Sequence, residues 1–122
     1  MNGIWPWLAV PVAGGLGALL RVVVDTEVQI YRPGRFPLGT LTVNASGSFA
    51  LGFLTGLGVG GDTLLVLGGG LVGAYTTLST WMVETWELAE DDLWHQAGAN
   101  LAVSLAAGLA CAGAGWALGS LF

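Results

Sequence analysis

The sequence predicts an all-α integral membrane protein with four transmembrane helices, the third of them broken, and three observations carry that expectation. First, 54% of the 122 residues are hydrophobic and only 9% are charged, with a mean hydropathy of +0.74; soluble domains carry about 25% charged residues. Second, the chain divides into four nearly uncharged runs of the length, about 20 residues, that a helix needs to cross the hydrocarbon core. Third, the run from Gly73 to Trp81 sets the hydroxyls of Thr76, Thr77, Ser79 and Thr80 inside the third apolar run, where no water can satisfy them. By length, residues 1–122 form one membrane domain.

The first span covers 4–24, Ile4 to Val24, and its one charge, Arg21, lies near its end. It lacks the basic flank of a secretory leader and exceeds the length of a leader's apolar core, so it reads as a retained span. A polar loop, Asp25 to Arg35, leads to the second span, 36–59, which has no charge. A short turn at Gly60, Gly61 and Asp62 precedes the third, 63–83, closed by Glu84. An acidic connector, Glu84 to His95, leads to the fourth, 96–121. Trp5, Trp7, Tyr31, Trp86 and Trp94 fall near span ends, where amphipathic rings anchor at the membrane interface.

Small residues recur four apart within the spans: Gly52, Gly56 and Gly60, then Gly69 and Gly73, then Gly115 and Gly119. That spacing lets membrane helices approach closely and predicts packing against another copy or a close relative. The lone cysteine, Cys111, lies between Ala110 and Ala112 with no activating charge and reads as a packing residue. The net charge of −5 derives largely from Glu84, Glu87, Glu90, Asp91 and Asp92, a solvated connector whose sign argues against a nucleic-acid partner.

In the second span Thr40, Asn44, Ser48, Gly52, Gly56 and Gly60 lie four apart, one slowly turning stripe, polar at one end and small at the other. The fourth span repeats the arrangement with Asn100, Ser104, Gly108 and Ala112. Taken alone, either stripe is explained by hydrogen bonds between helices. The third span shifts the balance, because Gly68, Gly69, Gly70, Gly73 and the hydroxyl run make a poor continuous helix. A break near Gly73 to Thr77 frees backbone groups at membrane depth, and such ends line cavities and bind ions. The chain has no Lys and no carboxylate in mid-span, so its available groups are amide, hydroxyl and backbone donors and aromatic edges, which suit a small anion.

These residues resemble the small bacterial fluoride channels of the Fluc or CrcB family. The resemblance rests on Gly14, Gly15, Leu16, Gly17, Ala18, Leu19, Leu20 and Arg21 in the first span. In the second it rests on Phe36, Pro37, Leu38, Gly39, Thr40, Leu41, Thr42, Val43 and Asn44, followed by Gly47 and Gly52. Gly73, Thr76, Thr77, Leu78, Ser79, Thr80, Trp81 and Glu84 carry it in the third, and Ser104 and Gly108 in the fourth. It implies an antiparallel, dual-topology-type dimer with two narrow fluoride paths in a bacterial cytoplasmic (inner) membrane. It also implies a structural sodium ion, Na+, on the dimer axis. By position, the path would comprise Asn44, Leu78, Ser79, Thr80, Trp81, Asn100 and Ser104. Arg21 would sit at a vestibule and raise the local anion concentration, and the carbonyls of Gly73 and Thr76 would hold sodium.

Three positions depart from the family pattern: Leu78 and Trp81 stand where Phe is usual, and Asn100 where Tyr is usual. Leu78 brings no aromatic edge, whereas the indole of Trp81 keeps a ring and adds an N–H donor. Three readings remain open: a conducting homodimer with altered aromatics, one member of a heterodimer with a paralogous subunit, or a subunit whose own pore has decayed. Arg21, Arg32 and Arg35 cluster around the first loop, which places that loop in the cytoplasm and both termini outside. That bias favours the heterodimer.

A small proton-coupled multidrug exporter is a rival of similar size, but it needs a membrane-embedded carboxylate that the first span lacks, and Glu84 closes the third span at the interface. A non-conducting membrane partner is the other rival. An enzyme is not expected: His95 is the only histidine and lies in the acidic connector, with no nucleophile and base paired at helical spacing.

Overall fold

The computed structural model describes residues 3–122, and among them every regular element is helical. Helix α1 runs Trp5–Tyr31, with Pro6 in its first turn, where the missing N–H costs nothing. It runs seven residues past Val24, into the stretch expected to be loop. Polar residues there continue the helix, helped by a Gln29 Nε2 bond to Asp25 Oδ1 four residues back, at 3.0 Å. Helix α2 covers Leu38–Gly56, 19 residues or about 28 Å at 1.5 Å per residue.

The third apolar run is built in pieces. Helix α3 covers Gly61–Leu64, a π-helical segment follows over Leu65–Val72, and α4 covers Gly73–Tyr75. The helix then breaks at residues 76–78, with Thr76 extended (φ −80°, ψ 160°), and resumes as α5, Ser79–Glu90. Only three residues, 91–93, separate α5 from α6, Trp94–Gly119. Most of the expected acidic connector is therefore helix, and Asp92 takes φ +59° in the tight turn that remains. By length and composition α1, the combined third run Gly61–Glu90 and α6 can each cross a membrane.

Two seams hold the chain together, and both use small residues. In the α2–α6 seam, Cβ atoms on Gly52 and Gly56 would collide with the carbonyls of Ala112 and Trp116. Cβ atoms on Gly115 and Gly119 would meet the carbonyls of Phe49 and Phe53. In the seam between α1 and the third run, Gly17 lies against the Leu71 carbonyl and the Tyr75 N–H, and Gly70 against the Val10 carbonyl. The stripes of α2 and α6 thus pack against each other inside one chain, so that Gly52, Gly56, Gly115 and Gly119, counted among the small residues that predicted packing against another copy, are taken up within the protomer. Gly69 and Gly73 are exposed. The interface rings Trp5, Trp7, Tyr31, Trp86 and Trp94 are all exposed, as anchors must be.

Candidate functional site

The break is held by one side chain. Asn44 Nδ2 donates to the Thr77 carbonyl and Thr77 N–H donates to Asn44 Oδ1, both at 2.8 Å, so the carboxamide meets both backbone groups of the residue at the gap. Such pairing is what permits an open backbone at membrane depth. Thr77 Oγ1 accepts from Thr80 N–H at 3.2 Å and caps the restarted helix.

The same diversion leaves other carbonyls open. Thr77 N–H, which would reach Gly73 in a continuous helix, goes to Asn44, and Thr80 N–H, which would reach Thr76, goes to Thr77 Oγ1. Among the described residues no backbone donor reaches the Gly73 or Thr76 carbonyl. Two free carbonyls three residues apart at a break are the ligand type that a hard cation takes.

A groove of about 430 Å³ lies between α2, the third run and α6. Asn44, Gly73, Thr76, Leu78, Trp81 and Ser104 of the expected site line it, together with Ser48, Thr77 and Gly108. A second hollow of about 240 Å³ is lined by Arg21, Asp25, Thr26, Thr40 and Thr80, and Thr77 lines both. Thr40 donates to Glu84 at its edge. Glu84 is thus half-buried and tied to α2 instead of standing free at the interface. Ser79 is exposed and lines neither space, and Leu78 is 68% exposed at the groove's rim.

Asn100 lies behind the groove wall, wholly buried, and is absent from the lining. Its Nδ2 donates to Thr85 Oγ1 at 2.8 Å, Thr85 Oγ1 donates to the Trp81 carbonyl at 2.8 Å, and Ser104 Oγ donates to Asn100 Oδ1 at 3.2 Å. Trp81 Nε1 donates to the Asn100 carbonyl at 3.0 Å. The indole N–H counted as a possible anion donor is therefore engaged with α6, and Trp81 is pinned by ring and backbone at once. Sequence reasoning placed Ser48 in the α2 stripe and Thr77 in the hydroxyl run at the break without naming either as lining the site, whereas Thr85 carries no signal short of tertiary contact.

A family model described as CrcB-like protein, Camphor Resistance (CrcB), matches residues 8–116. A protein of Mycobacterium tuberculosis named Fluoride-specific ion channel FluC 2 is 50% identical over 106 residues, 87% of this chain and 84% of its own. One of the same name from Mycolicibacterium paratuberculosis is 46% identical over 121 residues, 99% of each chain. Fluoride-specific ion channel FluC 1 of Symbiobacterium thermophilum is 42% identical over 119 residues, 93% of this chain and 96% of its own.

Proposed function

The chain belongs to the CrcB family, and from that premise we propose that it is a fluoride-selective ion channel that lets the anion leave the cell passively. The observation that carries this reading is the groove at the interrupted span, which brings hydroxyl and amide groups to membrane depth without any buried Lys or Arg. Such a lining replaces part of a hydration shell and still releases the ion. A negative interior drives an anion outward by about 2.3 kcal/mol per 100 mV, so no energy-coupling motif is needed. The family is one of ion channels, not enzymes.

In this reading α2 is the fourth membrane span. Two subunits pack antiparallel in a bacterial cytoplasmic membrane, the loop between α1 and α2 facing the cytoplasm in the chain's favoured orientation. Support for a dimer comes from the exposed Gly69 and Gly73, the second of which lines the groove. The free Gly73 and Thr76 carbonyls fit a sodium ion that, when bound, would fix the two breaks against each other. Fluoride would pass from the hollow at Arg21 and Thr80 into the groove beside Asn44, Trp81 and Ser104, with Leu78 at its rim. Asn100 would act from behind the wall. Ser79, exposed at the start of α5, would meet the path only across the dimer.

One observation favours a heterodimer. Leu78 is exposed at the rim and brings no ring, so a paralogous subunit would supply the missing aromatic edge. Fluoride efflux from liposomes tests the proposal: efflux by the chain, alone or co-reconstituted with its paralogue, supports the channel, and silence in both arms overturns it. Transport of a cationic dye instead would indicate the exporter class.

A further inference from the structure

Six side chains bring polar atoms to the groove: Asn44, Ser48, Thr76, Thr77, Trp81 and Ser104. Five have engaged them within the protein. Thr76 Oγ1 donates to the Val72 carbonyl, Thr77 Oγ1 to Thr80 Oγ1, Ser104 Oγ to Asn100 Oδ1 and Trp81 Nε1 to the Asn100 carbonyl, while Asn44 holds Thr77. Ser48 is the exception, its hydroxyl making no hydrogen bond among the described residues. Its neighbours in α2 behave otherwise: Thr42, Ser46 and Thr55 donate back to the carbonyls of Leu38, Thr42 and Gly52. Back-bonding is the usual resort of a hydroxyl in an apolar helix.

Space lies beside that hydroxyl. Gly108 of α6 faces it, and a Cβ there would stand 3.6 Å from Ser48 Oγ. The absent side chain leaves a recess one atom wide, bounded by a free O–H. Asn44 lies one turn away on the same face of α2, and its Nδ2 carries a second N–H beyond the one given to Thr77. Two donors that line one groove, with a small recess between helices beside one of them, match a small dehydrated anion.

We propose that Ser48 is the principal anion-binding hydroxyl of the groove, that Gly108 is kept side-chain-free to admit the ion beside it, and that Asn44 contributes its remaining N–H. The inference rests on the channel reading and deepens it. Ser104, Thr76 and Thr77 then hold the wall in place and donate to the ion only if their present bonds open.

The test is fluoride efflux from liposomes, read with a fluoride electrode, for the wild-type chain, Ser48→Ala and the double variant Ser48→Ala/Gly108→Ser, each with the partner subunit that supports wild-type flux. Losing a hydrogen bond to a charged group lowers the flux of Ser48→Ala about tenfold, with size-exclusion profile and thermal melting unchanged. The double variant returns a hydroxyl to the same recess from the opposite helix and regains most of that flux. Ser48→Ala at wild-type flux overturns the inference and leaves the channel reading standing. A reduced Ser48→Ala that the double variant, folded to the same melting temperature, fails to rescue also overturns it. A wild-type chain that moves no fluoride in either arm overturns both.

Discussion

Helix α2 meets α6 along one stretch and the break of the third run along another, and the two contacts are built from opposite materials. Toward α6, Gly52 and Gly56 bring backbone against backbone until not even a methyl fits. Toward the break, Asn44 stands between the helices, and one turn on, where α2 still meets α6, Ser48 faces Gly108 with space between them. The same four-residue spacing serves both, so the small-residue stripe says where helices meet and the polar residues in it say where they are held apart. Closure at one end constrains the width at the other, because α2 and α6 are unbroken helices between them.

The comparison breaks most completely at the closed end. Gly52→Leu drives a side chain into the Ala112 carbonyl and costs about 3 kcal/mol or more. The expected outcome is loss of a monodisperse peak and of a cooperative melt in detergent. At the open end, Asn44→Leu keeps the packing volume but strands the N–H and C=O of Thr77, each worth about 1–3 kcal/mol. Fluoride flux should fall about a hundredfold while folded protein is still recovered, and Asn44→Asp, which keeps the acceptor for Thr77 N–H, should be the less unstable of the two on melting.

A milder change separates the wall from its support. Asn100→Leu removes the partners of Thr85 and Ser104 but leaves the backbone carbonyl that holds Trp81 Nε1. It should lower stability by about 1–2 kcal/mol and reduce flux less than Trp81→Ala does. The smallest effect belongs to Arg35→Ala. Arg35 and Asp91 pair across the loop and the α5–α6 turn with both side chains more than half exposed. Its loss should shift melting by no more than about 0.5 kcal/mol and vanish in high salt.

Much of this was legible in the chain. The apolar runs marked the long helices, three of them long and apolar enough to cross a membrane, and the glycines and hydroxyls of the third run marked its break to within a few residues, expected at Gly73 to Thr77 and found at residues 76–78. The stripes were visible too, but not their destination, because a small residue four apart from another reads alike whether its partner is in the same chain or a second one. Asn44 stood out in the sequence as the polar end of its stripe, whereas its hold on Thr77 joins positions 33 apart and belongs to tertiary structure. The burial of Asn100 followed from the azimuth of α6, which a symmetric-looking stripe does not reveal. Helix ends were misplaced where polar residues such as Asp25 and Gln29 continue a helix beyond the apolar run.

The π-helical segment Leu65–Val72 has a consequence for how the groove is inherited. A π turn holds more residues than an α turn, so everything beyond Val72 is rotated about the span axis from where a plain helix would aim it. The phase that points Thr77 at Asn44 is set by the length of that segment as much as by any residue at the gap. Deleting one residue within it would swing the break by about 100° and dismantle the groove with every one of its polar side chains still present in the sequence.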